Sequence, residues 1–354
     1  MYNTSRKKGV FMNIFEFINE NSNDLLSKMR EKDKDELLKL LRQYKISLRD
    51  KLNLKDNTTF GLELEFGTSK EEEIESKLKS LNYKWLIEKR LNGKYWDFKK
   101  ELSSIDGYEI TTPISFDEVE TWKELQEVCD LIKSYNVRIG EKDAGHVSFG
   151  SQILGNNIEN WLKFFRLYSL YENIIYRFGY GEFECERPYL EKYAFPIAKD
   201  LNQKLDKLEN PFELPSLRKL FTTVQTQHKV KALQFYKMSK GGTSFEEDRR
   251  FEFRMPNATA EPIIWQNNVN FFAHFLYAAK KDLDIDEIKA KINRKFDDLQ
   301  NIRKFNYIYV DEALELADLI FDNNLDKINF LRQYFKEFKT SYEFRHSDSF
   351  IKSK

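Results

Sequence analysis

The chain has 354 residues, with 58 Lys plus Arg against 58 Asp plus Glu, so no global basic field points to nucleic acid. A hydrophobic fraction of 41% and an aromatic fraction of 15% supply a sizeable core and exclude a disordered chain. Two cysteines, Cys129 and Cys185, are too few for a disulfide framework or a structural zinc site. No run approaches the ~20 apolar residues of a membrane helix, and Met1–Gly9 lead into no signal-peptide core. The expectation is a cytoplasmic protein with reduced thiols and neither membrane nor nucleic acid as partner.

Residues 12–53 carry Leu25, Leu26, Met29, Leu37, Leu38, Leu40, Leu41 and Tyr44 at helical spacing among many charges, which predicts a helical N-terminal extension over 1–56. The pattern then changes. Residues 59–67, Thr-Phe-Gly-Leu-Glu-Leu-Glu-Phe-Gly, alternate apolar and acidic positions, the signature of a strand. A short charged helix follows near 70–80, then strand material over 83–98 and a strand over 107–114. Residues 116–136 read as a helix, 144–150 as a strand and 157–178 as a long amphipathic helix. Pro188, Pro196, Pro211 and Pro215 break regular structure in 179–227, leaving helical pieces. Lys229–Lys237 and Arg250–Met255 read as a strand pair joined through Gly241-Gly242-Thr243. A helix over 261–281 closes a central domain of 57–282, and helices fill most of a C-terminal extension over 283–354. The last dozen residues read as frayed.

Four of these strands place ionisable groups on one face. Glu63 and Glu65 are two apart, so both project from one side while Leu62, Leu64 and Phe66 enter the core. Glu109 stands among strand formers. His146 and Ser148 share a face, as do Glu252 and Arg254. Glu is depleted in strands, and carboxylates brought side by side repel by several kcal/mol at low effective dielectric. These strands read either as an ordinary sheet with one wet side or as a cup that requires cations, and oxygen ligands with one nitrogen suit Mg2+ or Mn2+ better than zinc. No P-loop or dinucleotide fingerprint is present, and no Gly-x-Ser-x-Gly or Cys/His pattern offers a covalent nucleophile. His228, His274 and His346 read as structural or surface residues.

Gly61-Leu-Glu-Leu-Glu-Phe66, Trp96…Glu101-Leu-Ser103, Gly107-Tyr-Glu-Ile-Thr-Thr-Pro113 and His146-Val147 together resemble the amidoligase family of glutamine-synthetase-like carboxylate–amine ligases. Tyr171-Glu172, Arg187 with Tyr193 and Pro196, Lys231-Ala-Leu233, Phe251-Glu-Phe-Arg254 with Asn257 and Thr259, and Trp265 with Asn267 continue the resemblance in order, over about residues 58–280. Two positions depart from the family pattern. The family has His-x-His where this chain has His146-Val147-Ser148, and Asp where this chain has Glu101.

The resemblance implies an α+β fold, with a curved, mostly antiparallel sheet of the glutamine-synthetase-like catalytic type and helices on its outer face. It implies ATP and Mg2+ (or Mn2+) as cofactors, with carboxylate and amine substrates that include peptides and proteins. Glu63, Glu65, Glu109, His146 and Glu252 would be metal ligands. Glu65, His146, Ser148 and Arg254 would meet the nucleotide, and Arg254, Arg187 and Lys231 would act on phosphate or substrate carboxylate. An acceptor of the γ-glutamylcysteine type is open within this class. A non-catalytic relative that binds nucleotide or a partner is open beside it, as is a metal-dependent hydrolase.

Overall fold

A computed structural model describes residues 13–21, 24–81, 85–87, 96–101, 106–139, 143–180, 193–208, 214–224, 231–236, 250–301, 304–305 and 307–336. In chain order it runs α1 (Ile14–Asn21), α2 (Leu25–Lys28), α3 (Glu31–Gln43), β1 (Phe60–Gly67), α4 (Glu71–Ser80), β2 (Trp85–Ile87), β3 (Trp96–Glu101), β4 (Gly107–Thr111), α5 (Val119–Ser134) and β5 (Gly145–Gly150). It continues with α6 (Ile158–Gly179), α7 (Ala198–Leu208), α8 (Leu217–Val224), β6 (Leu233–Tyr236), β7 (Arg250–Phe253), α9 (Pro262–Ala278), α10 (Ile285–Arg294), α11 (Val310–Ile320) and α12 (Asn324–Tyr334). No helix among the described residues is long and apolar enough to cross a membrane.

The strands form one open, seven-stranded sheet in the order β2–β3–β4–β1–β5–β7–β6. Every pairing is antiparallel except the edge pair β2–β3. This is the expected α+β class, with β1 in the middle of the sheet. Alternation decides what each face carries. On one side Leu62, Leu64, Phe66, Phe98, Ile110, Val147, Phe149, Phe251 and Phe253 are all buried.

Helices cover that apolar face with aromatic rings. Trp161 and Phe164 of α6 lie edge-on or tilted against Phe251, at 5.8 and 5.7 Å between centroids. Phe272 of α9 stacks on Phe253 at 4.1 Å, and Trp122 of α5 stacks on Phe60 at 5.4 Å. Rings of this size bury large apolar areas at little entropic cost. A single hydrophobic core therefore runs from Ile14 to Phe335 and takes in both predicted extensions.

The sequence reading departs from the structure at two places. Residues 44–54 are not helical. The chain leaves α3 at Tyr44 with φ −72° and ψ 135° and becomes an extended strap. Arg49 exchanges two hydrogen bonds with the Gln266 amide, which accepts from the Arg49 N–H (2.8 Å) and donates to its carbonyl (2.6 Å). Asn53 then turns through φ +61°, a conformation asparagine tolerates, and the amides of Leu52 and Leu54 both reach the Asp117 carboxylate at 2.9–3.0 Å. Backbone donors taken by a distant carboxylate are lost to a helix ladder. Second, the strand material expected over 83–98 includes β2 and β3, as read, but β3 runs on to Glu101.

Asp117 also accepts from the Trp122 indole N–H at 2.8 Å, so one carboxylate joins the strap to α5. Asp117→Ala should cost about 2–3 kcal/mol, because hydrogen bonds to a charged acceptor are strong and their donors would be stranded. The midpoint of denaturant unfolding measures this, and a midpoint equal to that of the wild type would contradict the strap's role.

Candidate metal-binding face

The second face of the sheet carries the polar alternates. Directly opposed residues share a face. Lys99 opposes Glu109, and Glu109 opposes Glu65. In the next row Asp97 opposes Thr111, Thr111 opposes Glu63, and Glu63 opposes His146. Ser148 opposes Glu252, which opposes Gln234 of β6. Six neighbouring strands thus present their polar alternates to one surface.

Glu109, His146 and Glu252 are almost wholly buried, whereas Glu63, Glu65, Ser148 and Glu101 are half-buried. The His146 Nδ1 lies 3.1 Å from Oε1 of Glu63 and 3.7 Å from Oε1 of Glu252. Glu65 accepts a hydrogen bond from the Ala144 amide at 2.8 Å, which fixes one of its oxygens. Arg254 pairs with Glu252 through a guanidinium nitrogen, and its own amide donates to Ala232 at 2.9 Å. Gly145, just before His146, is pressed between the Asn257 backbone and the Trp265 ring. A Cβ there would come within 2.5 and 2.6 Å of them, so only glycine allows β5 this seat.

Two overlapping groups can gather ligand atoms within 4.8 Å of one another: Glu63, Glu65 and His146, and Glu65, Glu101 and Glu109. Glu65 belongs to both. The donors are carboxylate oxygens and one imidazole nitrogen, the set that hard divalent cations such as Mg2+ and Mn2+ take. Oε2 of Glu252 is buried with no hydrogen-bond partner among the described residues. An orphaned acceptor at the rim of such a cup fits a cation ligand. The residues present therefore fit a divalent metal.

Charge regulation inside the cup follows from burial and neighbours. Burial and the nearby Glu63 push the Glu109 carboxyl up to about 9, against the pull of Lys99. Burial alone would raise Glu63 too, but the His146 ring beside it prevails and holds Glu63 well below the usual carboxylate range. Burial raises Asp97 as well. Lys99 is pushed up because Glu109, Glu63 and Asp97 outweigh its own desolvation.

The structure thus brings together Glu63, Glu65, Glu109, His146, Ser148, Glu252 and Arg254. Lys231 is placed against an aromatic ring. Its ammonium lies 4.2 Å over the Phe195 ring, and the next residue, Ala232, takes the Arg254 amide. Arg187, with Cys185, His228, His346 and the Gly241-Gly242-Thr243 loop, lies outside the described residues. His274 is structural, as expected: its Nδ1 meets the Asn270 carbonyl at 2.9 Å, and burial lowers its pKa. Two polar members of the face, Asp97 and Lys99, were named in no motif, and two more, Glu101 and Thr111, lay within motifs but were given no role. Asp97, Lys99 and Glu101 alternate like Glu63 and Glu65, and that signal becomes visible only when the strand is carried through to residue 101.

No protein-family model matches the chain, and no curated protein matches it significantly.

The proton on Glu109 makes a pH prediction. Its folded pKa is raised from an ordinary value of 4.5 to about 9, so its contribution to stability is full at low pH and is lost as pH rises between those values. Glu63 works in the opposite sense, its contribution being lost as pH falls below the carboxylate range. In EDTA, stability should therefore decline from about pH 5 to about pH 9, and Glu109→Gln should flatten that decline. Urea midpoints across the range provide the check, and parallel profiles for variant and wild type would contradict it.

Proposed function

We propose that this chain is an ATP- and magnesium-dependent carboxylate–amine ligase that forms an amide or isopeptide bond. The observation that carries the reading is the pair of ligand groups joined at Glu65 on the central strand, with Arg254 beside them. The order of the surrounding motifs, which resembles that of the amidoligases, supports it. A glutamine-synthetase-like sheet belongs to the same proposal, as does a cytoplasmic setting.

A carboxylate resists an amine because its charge repels the nucleophile and its oxide leaves poorly. In the proposed reaction a substrate carboxylate oxygen attacks the γ-phosphorus of ATP, and ADP departs. The amine nitrogen then attacks the acyl carbon, inorganic phosphate leaves, and the nitrogen gives up a proton. Such chemistry asks the protein mainly for positioning and charge neutralisation. Bound Mg2+ would supply the positive charge that triphosphate oxygens need, held by Glu63, Glu65, His146, Glu101 and Glu109 with Glu252 at the rim.

The chain's own groups divide the remaining work. Arg254 is a planar donor suited to a transferring phosphoryl group, and Glu252 orients its guanidinium. Ser148, half-buried opposite Glu252, offers a hydroxyl in place of the family's second histidine. The aromatic wall behind the sheet keeps these positions rigid, so little reorganisation accompanies charge development. Two overlapping carboxylate groups would also suit a two-metal hydrolase, and dependence on ATP separates the two readings.

Hydroxylamine is a general amine acceptor, so a panel of carboxylic acids with ATP, Mg2+ and hydroxylamine tests the reaction directly. The expected result is hydroxamate formed in step with ADP. Glu252→Gln should reduce it by about 100-fold or more with the fold retained. Hydrolysis of a test ester or amide without ATP would favour the hydrolase, and wild-type turnover in Glu252→Gln would sink the assignment of that residue.

A further inference from the structure

Lys99 is an unexpected resident of a face that gathers carboxylates for cations. Its Nζ lies 2.5 Å from Oε1 of Glu109, so a partly exposed ammonium sits on a side chain that the Glu65–Glu101–Glu109 group would offer to a metal. Two residues back on the same strand stands Asp97, 0% exposed, with neither carboxylate oxygen hydrogen-bonded among the described residues. Thr111, its cross-strand neighbour, likewise has a buried hydroxyl without a partner among them. The Lys99 Nζ is 4.0 Å from Oδ2 of Asp97, just beyond hydrogen-bonding range.

A buried carboxylate without donors is costly and calls for a cation or a donor to visit it. Lysine can do so. Its ammonium is a compact charge on a flexible four-carbon stem, and a small rotation of that stem closes the gap. A divalent ion at Glu109 would repel the ammonium now beside it. Moving to Asp97 relieves that repulsion and satisfies the orphaned acceptor in one displacement.

We propose that Lys99 is a tethered cation with two seats: Glu109 when the Glu65–Glu101–Glu109 group holds no metal, and Asp97 when a divalent ion takes Glu109. Asp97 is then a positioning residue for metal loading, acting through Lys99 without touching the ion. The inference rests on the metal-binding reading of the cup.

A double-mutant cycle tests it with Mn2+ alone, free ion being followed by its EPR signal in wild type, Lys99→Met, Asp97→Asn and the double variant. Removing the competitor should tighten Mn2+ binding about tenfold, and removing its second seat should weaken it about tenfold. In the Lys99→Met background, Asp97→Asn should change affinity less than about twofold, because no lysine needs the seat. An equal penalty for Asp97→Asn in both backgrounds would mean simple through-space attraction and would overturn the proposal. So would unchanged affinity in Lys99→Met, which decides alone if Asp97→Asn does not fold. Wild-type protein that binds no Mn2+ would remove the metal site itself, and the proposal with it.

Discussion

Carboxylates crowded onto one face of a sheet must be neutralised, and most of this structure can be read as a response to that constraint. Two unit charges 4.8 Å apart repel by about 3–4 kcal/mol at an effective dielectric near 20, and each ligand group gathers its atoms within that distance. The chain's own groups answer part of it. Arg254 pairs with Glu252, His146 stands against Glu63, and Glu109 holds its proton to higher pH than an ordinary carboxyl, although Lys99 beside it pulls the other way. Each answer is provisional in the sense that a divalent cation could replace it. A site that folds before it is loaded needs such stand-ins, because unneutralised buried charge would cost more than a domain's marginal stability allows.

Holding repelling groups together requires a frame that does not yield, and the frame extends well beyond the sheet. Trp265 of α9 presses on Gly145 beside His146, so the position of α9 sets that of β5. On its far side α9 is fixed by a buried polar layer. Asn267 donates to the Asn329 carbonyl and to Gln333 of α12, Gln333 donates to Asn268, and Asn270 donates to Asp326. Arg49 of the N-terminal strap reaches the same Asp326 at 2.8 Å. Polar contacts of this kind admit one register, whereas apolar packing tolerates slippage. The helical ends of the chain thus brace the element that backs the histidine.

Legibility from sequence followed the strength of local periodicity. Alternation over residues 59–67 was strong enough to give β1, its inward leucines and its outward glutamates, and the ordered motifs on 107–114, 144–150 and 250–255 gave the neighbouring strands. Their assembly into one cup was an inference from carboxylate chemistry, and the register of β1 with β4 and β5 accounts for it. Residues 44–54 misled because the helical spacing that ends at Tyr44 was carried on to residue 53, while the forces that straighten the segment come from Asp117 and Gln266, far away in sequence. Asp97 and Lys99 were hidden for a different reason. A strand ended at 98 does not show their alternation with Glu101, and a lysine among acids reads as an ordinary solvated pair.

The most direct test of the central claim is calorimetric titration of ATP into the protein, with Mg2+ and then with EDTA, for wild type and Glu65→Gln. Glu65 is the one residue common to both ligand groups, so its neutral isostere removes charge from each without changing shape. The account predicts binding that requires Mg2+ and that the substitution weakens by about tenfold or more. Failure of ATP to bind under either condition, or equal magnesium-dependent binding by the variant, would contradict it.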